Sequence, residues 1–278
     1  MTIRDALHQS QQRFESHGVS SPRLNAEVLL SHVLSVDKAY LYTHDERELS
    51  GEETQRLEDA VYERVSGVPV QYIIGRQEFY GRYFAVNPTV LIPRPETELL
   101  VERVIGFNPA AGARLIDVGT GSGCIGITLA LELPQTKVTL TDVSLEALQT
   151  ARANAASLGA NVGIACMDLL EAASGTFDFI VSNPPYVSRA ETSRLQREVR
   201  EHEPHVALFA ADDGLAAYRQ LIPSAQRLLR PGGYILMEIG FGLEERVLSL
   251  FEKGWDRLPT GSDLQGIPRV ICARRSVE

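Results

Sequence analysis

The chain has 278 residues, 44% hydrophobic and 23% charged, which is ordinary globular usage and excludes a disordered or collagen-like protein. Its formal net charge of −9, with no polybasic run, argues against a protein built to grip a phosphate backbone. Cys124, Cys166 and Cys272 stand far apart without CxxC spacing, so neither a disulfide framework nor a zinc site is encoded.

The first residues are polar and amphipathic rather than a signal peptide, and no apolar run reaches the roughly 18 residues of a membrane span. A soluble, cytoplasmic protein in a reducing compartment is expected. Residues 1 to about 75 read as helices. Arg23 to Leu34 starts at Ser21-Pro22 and puts Leu24, Val28, Leu29 and Val33 on one stripe. Glu52 to Val65 repeats the pattern through Leu57, Val61 and Val65, closed by Gly67 and Pro69. His8, His17, His32 and His44 are scattered, as surface or packing residues are. From Gly75 to Ile92 the chain turns aromatic and β-branched around Gly81 and Pro88, which predicts a hairpin or short linker joining two domains.

Beyond Pro95, helix and strand alternate. Helices are expected over Glu96 to Ile105, Cys124 to Leu133, Leu145 to Leu158 and Leu215 to Leu229, the last stopped by Pro231-Gly-Gly233. Strands are expected over Arg114 to Val118, Lys137 to Thr141, Val162 to Cys166, Phe177 to Val181 and Tyr234 to Ile239, with late edge strands near Trp255 and Arg269 to Ala273. Such alternation means an α/β fold with a parallel sheet covered on both faces. The domains are therefore residues 1–75, a hairpin linker at 76–92 and an α/β domain at 93–278.

Ligands bind such sheets at the carboxyl ends of the strands, and four strand ends here carry polar or glycine-rich signals. Asp117-Val-Gly-Thr-Gly-Ser-Gly123 precedes a helix, and its glycines allow a tight turn and close approach of a ligand. Asp142 lies 19 residues beyond Gly123, where an acid accepts hydrogen bonds from ribose hydroxyls. Together they describe a site for an adenosine-containing cofactor. The run satisfies the GxGxxG pattern of a dinucleotide site through Gly126, and also reads as an acidic residue followed by three alternate glycines. Asp117 would sit poorly beside a pyrophosphate but suits the ammonium group of S-adenosylmethionine. Asp168 then becomes a candidate for the adenine amino group. The fourth strand end is Asn183-Pro-Pro-Tyr186. Its prolines remove two N–H donors and fix φ, leaving a rigid loop of carbonyl acceptors beside a ring face, which suits a planar NH2 group.

Asn183-Pro-Pro-Tyr186 with the glycine loop resembles S-adenosylmethionine-dependent methyltransferases acting on amide or exocyclic amino nitrogens. More narrowly, the chain resembles the protein-(glutamine-N5) methyltransferases of the HemK type, which methylate peptide chain release factors. The resemblance covers nearly the whole length, including Pro69-Val-Gln-Tyr-Ile-Ile-Gly-Arg-Gln-Glu-Phe79, Leu91-Ile-Pro-Arg-Pro-Glu-Thr-Glu98 and Asp263-Leu-Gln-Gly-Ile-Pro-Arg269. It implies a Rossmann-like S-adenosylmethionine-dependent methyltransferase domain with a small N-terminal helical domain joined by a β-hairpin. It implies that Gly119, Thr120, Gly121, Ser122 and Gly123 hold the methionine part of the cofactor and that Asp142 holds the ribose. Asp168 and Leu169 would flank the adenine; some family members carry an aromatic residue where Leu169 stands. Asn183, Pro184, Pro185 and Tyr186 would bind the glutamine of a Gly-Gly-Gln loop, with Asn183 also touching the cofactor and with Asn183 and Pro184 as the catalytic acceptors. S-adenosyl-L-homocysteine would be the product, and the helical domain would contact the release factor. The roles of Phe79 and Arg94 stay open.

An adenine-N6 DNA methyltransferase also presents a planar NH2 to such a loop. Its recognition domain should be basic, whereas residues 1–85 carry 9 basic and 13 acidic side chains and residues 86–278 carry 18 and 23. Arg189, Arg194, Arg197 and Arg200 alternate with Glu191, Glu198 and Glu201, which reads as a solvated helix face, so no nucleic-acid partner is expected. No Asp/His dyad or metal-ligand set stands out. A non-enzymatic adenosine-binding regulator is a third reading, disfavoured by the intact loop at residues 183–186.

Overall fold

The computed structural model describes residues 1–188, 192, 195–210 and 213–277; Arg189, Glu191 and Arg194 of the charged run lie outside them. The chain divides into two compact units, Met1–Arg76 with Gln196–His202, and Gln77–Leu195 with Glu203–Glu278.

The first unit holds α1 (Ile3–Ser16), α2 (Pro22–Leu34), α3 (Lys38–Thr43), α4 (Gly51–Val65) and α5 (Val70–Ile74). Thr2 and Ser50 open α1 and α4 through reciprocal capping boxes with Asp5 and Glu53, satisfying amide groups that the helices cannot. The core is built from Ile3, Leu7 and Phe14, from Ala26, Leu29, Leu30 and Val33, and from Leu57 and Val61. The apolar stripe of α2 is therefore phased differently from the expectation. Leu24 is 48% exposed, and Ala26 and Leu30 fill the inward i, i+3, i+4, i+7 positions instead. His8, His17, His32 and His44 are all exposed, while His202 on the segment described next is half-buried. A short helix from the distant part of the chain, Arg197–His202, completes the unit. Glu198 on it meets the buried Arg64 at 2.6 Å, and Arg197 Nη2 donates to the Ser66 carbonyl at 3.2 Å. That part of the charged run is thus not simply a solvated face.

In the second unit, a hairpin of β1 (Arg76–Phe79) and β2 (Arg82–Ala85) precedes a 3-10 turn at Pro95–Thr97 and α6 (Glu98–Gly106). There follow β3 (Arg114–Val118), α7 (Cys124–Glu132), β4 (Lys137–Asp142), α8 (Leu145–Leu158), β5 (Val162–Cys166) and β6 (Phe177–Ser182). Counting Arg197–His202 as α9, the chain continues through α10 (His205–Leu208), α11 (Ala216–Leu228), β7 (Leu229–Glu238), α12 (Glu244–Leu248), β8 (Trp255–Arg257), β9 (Gly261–Ser262) and β10 (Pro268–Arg275). The sheet runs in the order β5-β4-β3-β6-β7-β10-β8 with β9 on β10; the first five strands are parallel, and β10 is antiparallel to its neighbours. The order reverses beside β3, so a crevice opens at the carboxyl ends of β3, β4 and β6.

The second unit differs from expectation at β7 and at the hairpin. Helix α11 ends at Leu228, before Pro231-Gly-Gly233, which instead bulges within β7: Phe177 pairs with Leu229 but Phe179 with Tyr234. A Cβ on Gly233 would lie 3.0 Å from the carbonyl oxygens of Arg230 and Asp178, so the bulge needs glycine there. The hairpin is also more than a connection. Phe79 and Phe84 are buried in the core that covers one face of the sheet, with Leu100, Val104, Ile127 and Leu140.

Candidate active site

A cavity of about 320 Å³ occupies the crevice at the strand ends. The glycine loop forms one wall. Gly119, Gly121 and Gly123 all have positive φ, but they serve two purposes. A Cβ on Gly119 or Gly121 would point into open space, and both residues line the cavity with Thr120 and Ser122. A Cβ on Gly123 would meet Ile127 Cδ1 at 2.5 Å, and one on Gly126 would meet Leu140 Cδ2 at 2.2 Å. These two glycines let α7 pack onto the sheet, and Gly123 does not line the cavity.

Asp117, read as a partner for a cofactor ammonium, is fully buried and does not line the cavity either. Its Oδ2 accepts from Thr120 Oγ1 at 2.6 Å and from the Gly126 amide at 2.9 Å, so it anchors the loop from behind. Burial pushes its carboxyl up to about 6, against the lowering effect of those two bonds. Asp142 does face the cavity. Its two oxygens accept the Gly121 and Ser144 amides, each at 2.9 Å, which fixes the carboxylate and leaves half its acceptor capacity for a ligand. Asp168 and Leu169 line the same wall beyond β5, and Leu169 takes the left-handed φ of 45°, a strained position for a side chain of this shape.

The opposite wall comes from β6, β7 and the segment before α6. Asn183 and Pro185 line the cavity; Pro184 is buried and Tyr186 half-buried, and neither lines it. The Tyr186 ring lies under the chain at Gly240, where a Cβ would approach it to 2.7 Å, and burial pushes its phenol up to about 12. Asn183 Nδ2 donates to Thr97 Oγ1 at 3.3 Å, and the Thr97 hydroxyl donates to Glu238 Oε2 at 2.6 Å. Burial pushes the Glu238 carboxyl up to about 7. Arg94 also lines the cavity and is ion-paired at 2.5 Å with the buried Glu203. Phe79 is a core residue.

Three side chains that hold this site escaped the sequence reading. Thr97 and Glu238 support Asn183, and Asn154 on α8 supports the glycine loop: its Nδ2 donates to the Ser122 carbonyl at 2.8 Å and to the Ala85 carbonyl at 3.0 Å, while its Oδ1 accepts the Ala85 amide at 2.8 Å. Thr97 lies in the specific run at residues 91–98, which was the available signal for it. Asn154, a polar residue in an alanine-rich helix, was a weaker one.

Residues 5–75 match the PrmC N-terminal domain family model, and residues 95–202 match the Methyltransferase small domain model. A Release factor glutamine methyltransferase of Koribacter versatilis is 47% identical over 99% of this chain and 99% of its own length. One of Geobacter sulfurreducens is 41% identical over 98% and 96%. Among solved structures, a Thermus thermophilus 16S rRNA methyltransferase in complex with AdoMet and guanosine superimposes with a TM-score of 0.51, covering 72% of this chain and 49% of that one at 19% identity. No helix among the described residues is long and apolar enough to cross a membrane. With near-complete coverage at such identity, the chain belongs to the release factor glutamine methyltransferase family.

Proposed function

We propose that this chain methylates the side-chain amide nitrogen of the glutamine in the Gly-Gly-Gln motif of peptide chain release factors, using S-adenosyl-L-methionine and releasing S-adenosyl-L-homocysteine. The residues present fit that donor. Two glycines front open space where a Cβ would intrude on a ligand, Asp142 has acceptor capacity to spare for ribose hydroxyls, and Asp168 and Leu169, assigned to the adenine, line the same cavity. When bound, the donor supplies an electrophilic methyl on a sulfonium.

The observation that carries the reading is the orientation of Asn183. Its amide nitrogen is engaged by Thr97, so its carbonyl oxygen is the group left for the cavity. A glutamine amide is a poor nucleophile because its nitrogen lone pair is delocalised. Asn183 Oδ1 takes a hydrogen bond from one N–H group and aims the nitrogen, while Pro184, whose ring does not line the cavity, would offer only its main-chain carbonyl to the other. These bonds strengthen as the nitrogen gains positive charge, so they stabilise the transition state more than the ground state. Alignment supplies the rest, and the proton leaves afterwards, so no strong base is needed. The first unit, which has its own core, contacts the release factor. Asn183→Ala should lower single-turnover methylation of a release factor about 100-fold or more, with cofactor affinity changed far less. Wild-type turnover by this variant would reduce the loop to a scaffold.

A further inference from the structure

We propose that Glu238 is a positioning residue whose carboxylate, acting through Thr97, holds the Asn183 amide with its oxygen toward the cavity. The inference rests on Asn183 being the acceptor for the substrate amide, as argued above.

The three groups form one hydrogen-bonded cluster joining the end of β7, the turn before α6 and the end of β6, in which Thr97 bridges Glu238 and Asn183 and the Asn183 amide also bears on the carboxylate directly. Thr97 is 2% and Glu238 3% exposed, so water does not compete for either. An ionised carboxylate can only accept, so Glu238 Oε2 draws the Thr97 hydroxyl proton at 2.6 Å. With its one proton committed, Thr97 Oγ1 offers only lone pairs, and the partner it takes at 3.3 Å must be the NH2 end of Asn183. The direction of these bonds thus follows from the charge on Glu238, and it decides which end of the Asn183 amide a substrate meets. A neutral, protonated Glu238 carries its own O–H. It could donate to Thr97, freeing the threonine proton to bond the Asn183 oxygen and turning the NH2 end toward the substrate. A donor there would repel the substrate N–H groups.

The charge state of Glu238 is set locally. Burial disfavours ionisation; Thr97, Arg269 and Asn183 favour it, and Glu96 opposes it, leaving the carboxyl at about 7. Arg269 is itself held by Asp263 at 2.8 Å, so its positive charge is shared. The other titratable groups that feel Glu238 are Tyr186, Tyr218 and Cys124, whose ionisation its charge disfavours. Tyr218 Oη donates at 2.9 Å to the main-chain carbonyl of Glu238, which fixes the end of β7 without using the carboxylate.

The test compares Glu238→Gln, Thr97→Val, Thr97→Ser and Asn183→Ala in the full-length protein, with S-adenosylmethionine and intact release factor. Glu238→Gln keeps the shape but brings a donor, and Thr97→Val removes the hydroxyl. Each should lower kcat by about 10- to 100-fold, the loss expected from a misaimed reacting group, while the Kd for S-adenosylmethionine stays within about 3-fold. Thr97→Ser, which restores the hydroxyl, should recover most of kcat. Wild-type kcat should fall as pH drops through about 7, and that limb should be missing in Glu238→Gln. Should Glu238→Gln fail to fold, the threonine pair and the wild-type pH profile still decide. If Asn183→Ala is inactive but Glu238→Gln and Thr97→Val keep wild-type kcat, or lose only thermal stability, the positioning role is wrong. If Asn183→Ala itself keeps wild-type kcat, the reading of the site fails first.

Discussion

Asp117 shows how one side chain trades stability for a shaped loop. It sits at the end of β3 with Oδ2 doubly engaged and with Oδ1 buried without a partner among the described residues. Desolvation raises its carboxyl from an ordinary 3.8 to about 6. The sign follows from proton binding. Between those two values the folded chain holds more protons than the unfolded one, so stability is highest in acid and falls as pH rises toward 6, after which the cost is complete. A shift of this size is worth on the order of 3 kcal/mol. Asp117→Asn keeps the oxygen that Thr120 and Gly126 need and removes the titration. Its stability relative to wild type should therefore improve by that amount between about pH 4 and about pH 7, measured by urea unfolding at each pH. A difference independent of pH would mean that Asp117 does not titrate in this range. The same residue marks a limit of the sequence reading. Its type and place at a glycine loop suggested a ligand contact, but its side chain points to the covered side and reaches the loop from beneath.

At the scale of elements, the hairpin, α8 and the glycine loop meet at Asn154. One buried amide bonds both backbone groups of Ala85 and the carbonyl of Ser122, so a strand edge, a helix and a cavity wall share a single support. Asn154→Ala should cost about 2–3 kcal/mol, because removing one partner leaves buried polar groups unpaired. It should also weaken S-adenosylmethionine binding, since Ser122 lines the cavity. Unchanged stability and affinity in denaturation and calorimetry would show that water replaces the amide without loss. Elements with a clear apolar period, such as α4, α8 and the parallel strands, were legible because burial on a known face writes that period directly. The loop residues Gly119 to Ser122, with Asp142 and Asn183, were legible because strand ends concentrate ligand chemistry. Thr97 and Glu238 were not, because 141 residues separate them and neither has a spacing relation to Asn183. The stripe of α2 was misphased because its small residue, Ala26, faces inward while Leu24 does not.

At the scale of the molecule, the chain leaves the second unit after Leu195, gives residues 196–202 to the first, and returns at Glu203. The first unit therefore depends on a segment encoded far from the rest of it. Arg64, 6% exposed at its side chain, holds that segment: Nη2 meets Glu198 at 2.6 Å, while Nε donates to Asn25 at 2.8 Å and Nη1 to the Val68 carbonyl at 3.1 Å. Arg64→Ala strips partners from all three, and a loss of about 2–4 kcal/mol is expected in the first unit alone. Because the two units have separate hydrophobic cores, heating should show two transitions, and the variant should lower only one of them, by about 10 °C. Every residue lining the cavity belongs to the second unit. In the interval where only the first unit has melted, the variant should therefore still bind S-adenosylmethionine but no longer methylate intact release factor. A single shared transition would show that the units do not unfold independently. Continued methylation of release factor above the lower transition would instead remove the first unit from substrate recognition and leave the second unit to find its glutamine alone.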